Sequence, residues 1–536
     1  MTIPAWFTPH ALPLHTIPSG DSQATESVEQ FLIDDPDADL IFLLETTPSG
    51  GTTLRLSDVG YITAAADTPA STPYPDRLLS PYNVEVRIPP PDTAQSVGEL
   101  AFGVIELESG DEDLDARLAE SWEGRQATIK VGGTYHVGRA TQGTLTFAQF
   151  VPRLRGTVQT VGWSDGRIVL TLREVLQQLR EPLQSHVYDE GFRVAIQGQR
   201  KPLRYGEIFN TEPVLIDEPT QIWQWHDGKV DAVLAVRDQG VALTDAGDVA
   251  NIFTAGAPAA GTYITQNSGG YIRLGAVPLG RITLDGRGDK TGNVYVNTTA
   301  GIAQRMAIRV GLADPADFDG GAFAAFPDAS PIGYVVEEAE SAVEAIAKLM
   351  AGAFGWLSTT HGGLLRIGRY KNPNASAAVV TITDDTLEEI ESETQIPPAW
   401  RVEVEYARNW TPQDADALSD ALSGEDRELY SQPVRIAAYE DAAIKTTHKD
   451  ARVVTIAGYQ VSASDALALA TEVFGVLSQR TARYRARVER QMFQRQPGDV
   501  VEVISADADL SAGRRLYVTG VAEDAAERSN DWELWG

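Results

Sequence analysis

At 536 residues the chain is too long for one hydrophobic core, so roughly two to four domains are expected. The complete lack of cysteine excludes disulfides, thiolate metal sites and cysteine nucleophiles, and seven scattered histidines without H-E-x-x-H spacing argue against a zinc enzyme. With 44 basic and 75 acidic residues the net charge is −31, which disfavours nonspecific nucleic-acid binding; it suits either solubility or a conduit wall that nucleic acid passes without sticking.

The first thirty residues are proline-rich and lack periodicity, so they read as an arm, either disordered or laid along a partner. Their lack of a basic n-region and their four prolines within MTIPAWFTPHALPLHTIP speak against a signal peptide, and no apolar stretch reaches membrane length. Strands are expected at 39–45, 83–87, 98–107, 127–131, 135–139, 154–161 and 167–172. Helical spacing at Leu114 and Leu118 marks 111–122, and a short helix at 174–179 leads to Pro182, where the first boundary is expected.

The middle third is rich in glycine, alanine and threonine, with short strands around Ile264, 271–274, 281–284 and 294–297, and its low aromatic content predicts a thin core. Ser341 and Glu344 form a capping box for a helix whose buried face carries Val343, Ile346, Ala347 and Met350. A strand follows at 364–368. The polar stretch 412–424 reads as a loop. A second helix from Ser464 to about Gln479 places Leu467, Ala470, Phe474 and Leu477 in its stripe, before closing strands at 484–488, 500–504, 516–521 and 532–535.

The expected fold class is therefore mainly β and multidomain: barrel- or sandwich-like domains, a few packed helices and an α+β C-terminal part. No β-α-β alternation points to a Rossmann or TIM-barrel fold, and no repeat of 20 to 50 residues points to a propeller or solenoid. The division expected is an arm at 1–27, a β-rich domain at 28–190, a β-rich insertion at 191–335, a small α/β domain at 336–400 and a β domain with one helix at 401–536.

Several motifs carry a chemical and a plain reading. Gly162–Trp163–Ser164–Asp165–Gly166 matches the G-x-S-x-G nucleophile elbow, but strands on both sides make it a hairpin tip. Asp34 to Asp39 alternates oxygen ligands as a calcium loop does, yet Leu40 and Thr46 stand where glycine and glutamate are needed, leaving a solvated acidic turn. Arg287–Gly288–Asp289 is an adhesion-type tripeptide by chance match, read as a hairpin turn. Arg483, Arg485 and Arg487 share one strand face, as a basic docking stripe or as partners of acidic groups on adjacent strands; the second reading is preferred. No motif supports an enzyme, and no catalytic, cofactor-binding or metal-binding residue is assigned; no cofactor is expected.

Three stretches together resemble a known family. They are Gly98–Glu99–Leu100 to Ile105–Glu106–Leu107 with Leu114–Asp115 and Trp122–Glu123–Gly124–Arg125; Tyr205–Gly206–Glu207–Ile208–Phe209–Asn210 with Pro213–Val214–Leu215–Ile216 and the segment 233–240; and Gln496–Pro497–Gly498–Asp499–Val500–Val501 with the endings Arg515 to Gly520 and Trp532 to Gly536. Their order and spacing, over most of residues 30–536, are similar to the baseplate-hub or tail-tip proteins of long-tailed bacteriophages and related gene-transfer particles. That resemblance implies a structural virion protein made in the host cytoplasm, with two tube-like domains per chain, so that a homotrimer presents pseudo-sixfold symmetry to a hexameric ring. The β-rich ends, 28–190 and 400–536, would supply those domains.

The implied partners are further copies of the chain, distal-tail and tail-tube proteins, and tip or fibre proteins; DNA is passing cargo, and no stable membrane association is implied. Two alternatives are a receptor- or glycan-binding (even glycan-degrading) tail protein with an aromatic cleft around Trp223 and Trp225, and a ring-forming distal tail adaptor of sixfold symmetry.

Overall fold

The computed structural model describes residues 39–536 apart from 94, 103, 110–113, 138–140, 174, 328–329, 489–494, 507–509 and 525–528. The arm expected at 1–27 lies outside the described residues, as does the acidic turn expected at 34–39 except for Asp39, which begins a strand. The architecture is mainly β and multidomain, with several sheets and few helices.

The first sheet is built from β1 (Asp39–Thr46), β2 (Leu78–Ser80), β5 (Val104–Glu108), β6 (Gln126–Val137), β7 (Val151–Ser164) and β8 (Arg167–Arg173), while β3 (Asn83–Arg87) and β4 (Glu99–Phe102) leave it. Its strands run in the order β1-β6-β7-β8-β5-β2, with Leu54–Ser57 outside β1 and Thr141–Thr144 beside β6. One core lies behind it, with Leu43, Leu44, Leu107, Ile129 and Val158 fully enclosed. The second sheet uses β9 (Val380–Thr383), β10 (Leu387–Ile396), β11 (Thr481–Val488), β12 (Val500–Ile504), β13 (Arg514–Asp524) and β14 (Ser529–Trp535), in the order β9-β12-β13-β14-β11-β10.

The remaining described residues form smaller bodies. Two five-stranded sheets, centred on Ile282–Asp289 and Tyr271–Leu274, hold separate cores around Trp225 and Ile222. Helices α1 (Thr299–Arg309) and α2 (Ala342–Gly352) pack with the hairpin Gly355–Thr359/Leu365–Arg369. A three-stranded sheet, with Ala399–Tyr406 at its centre, lies under α3 (Ala463–Leu477). No helix among the described residues is long and apolar enough to cross a membrane.

Several expectations change at the level of elements. The apolar run 98–107 is two strands, β4 and β5, and they belong to different sheets. The pieces expected at 127–131 and 135–139 are one strand, β6. At 111–122 only a 3-10 turn, Asp115–Ala119, forms among the described residues, and 175–180 is likewise 3-10. No strand forms at 294–297; the chain instead enters α1, capped where the Thr298 side chain accepts from the Gly301 N–H, with Ile302, Ala303, Met306 and Ala307 inward.

The capping box at Ser341 and Glu344 is present, and Ile346 and Met350 are buried on α2 with Ala345 and Leu349. On α3 the buried stripe is Ala466, Leu469, Ala470, Val473, Val476 and Leu477, and Leu467 is 45% exposed. The small residues Ala466 and Ala470 let this helix approach its sheet closely, which a search for large apolar side chains passes over. Two boundaries also move. Strands β9 and β10, placed above in a 336–400 domain, complete the second sheet, and residues 83–102 of the first domain cross over to it.

Candidate assembly surface

Each sheet has eight strands; leaving aside Leu54–Ser57 and Thr141–Thr144 in the first and β3–β4 in the second, the remaining six, numbered by position in the chain, run 1-4-5-6-3-2 in both. The match extends to single residues. In β7 the register against β8 slips between Val158 and Thr160; in β13 it slips against β14 between Val518 and Gly520. At the outer edge Leu78 faces Leu107 and Ser80 faces Glu106, again skipping a residue, just as Leu387 faces Val488 and Glu389 faces Arg487. Each slip is a β-bulge, a one-residue insertion that turns a strand locally, and bulges at matching places give matching curvature.

A turn is repeated as well. Gly124 N–H donates to the Val158 carbonyl while Val158 N–H donates to the Arg125 carbonyl, at 3.0 and 2.7 Å; Gly498, Val518 and Asp499 make the same pair at 2.9 and 2.8 Å. Both glycines have positive φ, +75° and +100°, a conformation that costs glycine little. The sequence pieces Trp122–Arg125 and Gln496–Asp499 are thus one turn used twice. The registers also pair Val158 with Val518, Leu172 with Leu534, Ile129 with Val503 and Leu107 with Val488, all buried. The sheets are two modules of one design. They differ at the strand beside position 4, where β1 runs antiparallel and β9 parallel.

The hairpin β3–β4 locks the modules together. Its backbone joins the second sheet, β3 pairing with residues 520–524 of β13, while Val84 and Val86 enter the first module's core. Beside it Arg153 lies at a bulge in β7 that turns its guanidinium toward the other module. Arg153 Nε donates to Glu523 Oε2 at 2.9 Å, a second guanidinium nitrogen pairs with the other carboxylate oxygen, and the Tyr82 hydroxyl donates to Glu523 Oε2 at 3.1 Å. His361, from the central hairpin, stands 3.4 Å from the same guanidinium. All four side chains are buried.

The electrostatics of this cluster follow from burial and charge. Burial and then Glu523 push the Tyr82 phenol well above its usual range. Burial works against the Arg153 cation, but Glu523 outweighs it and the guanidinium is held still more firmly charged. Burial, then Arg153 and Arg366, push His361 well below its usual range, so it is neutral at pH 7.

The motifs singled out in the sequence take plain places. Gly162 to Gly166 is the β7–β8 hairpin tip, where Asp165 and Gly166 have the paired positive φ of a tight hairpin turn. Arg287 and Asp289 lie within a strand rather than a turn; Arg287 pairs with Glu207, and Asp289 is buried near His226 and Arg305. Arg483, Arg485 and Arg487 meet Asp92, Glu393 and Asp531 at 2.6, 2.6 and 2.9 Å, so the basic stripe is internally paired. Trp225 is fully enclosed in the insertion's core and Trp223 packs against it, so neither lines a cleft. A depression of about 400 Å³ on the second module's outer face is lined by alternating charges, among them Glu389, Glu391, Arg485 and Arg487. No group of three or more metal-ligating side chains occurs among the described residues.

Comparison with solved structures finds similar chains at low identity. The 43 kDa tail protein of prophage MuSo2 from Shewanella oneidensis is 11% identical over 92% of this chain and 96% of that one, with a TM-score of 0.37. A tail protein from Neisseria meningitidis MC58 gives 11% over the same shares, at 0.38, and a chain of a native gene transfer agent virion gives 13% over 67% and 91%, at 0.40. These are tail and virion proteins. No family model and no curated protein matches the sequence.

The duplication was expected only from the family resemblance, which implies two tube-like domains, and not from any repeat seen in the residues; the buried Arg153–Glu523 pair was not expected at all. A signal for the first existed in the two Gly-containing turns, Glu123–Gly124–Arg125 and Pro497–Gly498–Asp499, each just before a strand of period two. For the second there was none, because 370 positions separate Arg153 from Glu523.

Proposed function

We propose that this chain is a structural subunit of a bacteriophage tail, the hub that joins the tail tube to the tip, and that it has no catalytic role. Three copies would place six equivalent modules around an axis and so match a sixfold tube with a threefold protein. Its partners would be tube and distal-tail proteins on one side and tip or fibre proteins on the other. DNA would pass through the centre, past a protein whose net charge of −31 repels phosphate.

The observation that carries this reading is the internal duplication: two modules with the same strand order, bulges and turn, joined by β3–β4. A chain with two copies of one module is suited to a closed ring in which modules alternate. The test is electron microscopy of the purified protein, with class averages examined for rotational symmetry. Threefold rings with six similar lobes and an open centre are expected; isolated compact monomers at all concentrations would overturn the proposal.

A further inference from the structure

The two modules differ in how one sheet edge is finished. In the second, β12 covers only the first part of β13, and β3 covers the rest, pairing Gly520 with Arg87, Val521 with Val86 and Asp524 with Asn83. In the first, β6 likewise covers only the first part of β7, ending at Thr157 opposite Gln126. Register equates residues 160–164 with 520–524, yet among the described residues no strand lies on that side of 160–164. Trp163, on this edge, is 56% exposed, and Gly162 has open space around it. An uncovered edge of this kind presents unpaired backbone donors and acceptors, a ready template for another strand.

We infer that residues 160–164 are covered by a second copy of this chain, whose second module supplies the strand through its segment 397–480. This rests on the ring reading and names the contact that closes the ring. The covering hairpin in the second module comes from the first module, between its second and third strands in chain order, β2 and β5. The equivalent segment of the second module lies between β10 and β11, residues 397–480. A single chain has one second module, and among the described residues none of its strands pairs with 160–164. The module that covers 160–164 therefore comes from another copy, by a head-to-tail contact that repeats the one inside the chain and closes into a ring.

Within the donor segment, the strand Arg435–Glu440 is itself an edge: it pairs only with Ala399–Tyr406 among the described residues. It carries two exposed apolar side chains, Ile436 at 55% and Tyr439 at 42%. Unpaired backbone and apolar surface coincide there, as they do at Trp163.

The experiment compares the full chain with its Trp163→Lys variant by sedimentation, with circular dichroism and thermal unfolding as controls. An edge lysine opposes strand addition but leaves an exposed position's own fold intact. The expected result is a closed oligomer for the native chain and a folded single chain for the variant. A native oligomer that persists in Trp163→Lys would overturn the edge contact and leave the ring standing. A native chain that stays monomeric would overturn both. Because the chain has no cysteine, Trp163→Cys in one copy and Tyr439→Cys in another give a second, folding-independent arm. Disulfide formation between the mixed copies is expected; cross-linking no better than that of Trp163→Cys mixed with the native chain would exclude this donor strand.

Discussion

The two modules share a strand order and a register while differing at most of the paired positions, and one cross-strand pair shows how. In the first module Ile105 faces Leu170; at the equivalent place in the second, Ala486 faces Trp532. A medium pair has become a small–large pair, and all four side chains are buried. Cores tolerate such exchanges when total volume and patterning are kept. The lesson is that the bulges, the positive-φ glycine and the in–out alternation carry the architecture, and the side chains that satisfy them are free to change in concert.

The strongest way to break the comparison is to remove what makes two modules one body. Arg153→Met would leave Glu523 buried without its cation, a situation that costs about 3–5 kcal/mol. Differential scanning calorimetry is expected to show a large fall in Tm, or separation into two transitions as the modules uncouple. Adding Glu523→Gln should recover much of the loss, since the uncompensated charge is then gone. A single transition at the native temperature in Arg153→Met would mean that β3–β4 alone joins the modules.

A sharper test exchanges the core pairs. Ile105→Ala alone opens a cavity, with a cost of about 2–4 kcal/mol. Leu170→Trp alone overpacks, at roughly 1–3 kcal/mol. If the two modules solve the same packing problem, the double variant should be more stable than the sum of the singles predicts, by about 1–2 kcal/mol in chemical denaturation. Strict additivity would show that the shared register does not extend to shared core volume.

Much of this fold was legible in the sequence because strands of period two are visible locally: β1, β3, β8, β11, β12 and β14 lie close to where alternation puts them. The hairpin at Ser164–Asp165–Gly166 was legible for the same reason, since turn chemistry is local. Which strand joins which sheet was not, and the run 98–107 is the clearest case, for nothing in its composition marks the place where it passes from one sheet to the other. The duplication was legible only through the family resemblance; compensated exchanges such as Ile105–Leu170 for Ala486–Trp532 preserve geometry and leave too little identity for a repeat to be seen in the residues themselves. The candidate assembly edge was least legible of all, because it is defined by the lack, among the described residues, of a strand beside 160–164.

The shared turn offers a smaller contrast. Gly124→Ala meets open space, so its cost is the positive-φ strain alone, about 1 kcal/mol. At Gly498 an added Cβ would stand 2.7 Å from a ring carbon of Trp356, so Gly498→Ala should cost more, roughly 2–3 kcal/mol. Equal losses in urea titrations would mean that Trp356 moves aside and that the second turn is no more tightly enclosed than the first.

The smallest expected effect separates the clamp from the rest of the molecule by pH. His361 is buried, faces the Arg153 and Arg366 guanidinium groups, and is held neutral well below the usual histidine range. His226 in the insertion is also lowered, by burial first, but there Asp289 opposes the shift. For both residues the unfolded chain takes up a proton near pH 6.5 while the folded chain does not, so the unfolded state binds more protons and stability falls as pH drops below that value. The loss per titrating histidine approaches about 1.4 kcal/mol per pH unit at most. His361→Gln, an uncharged side chain in the same position, should flatten the stability profile between the unfolded histidine range and the lowered folded one more than His226→Gln does, because Asp289 opposes the shift at His226 while Arg153 and Arg366 add to it at His361. The profiles are read from urea midpoints measured between neutral and mildly acidic pH. Equal flattening by both substitutions would mean that burial alone, without the Arg153 and Arg366 charges, sets the behaviour of the histidine between the modules.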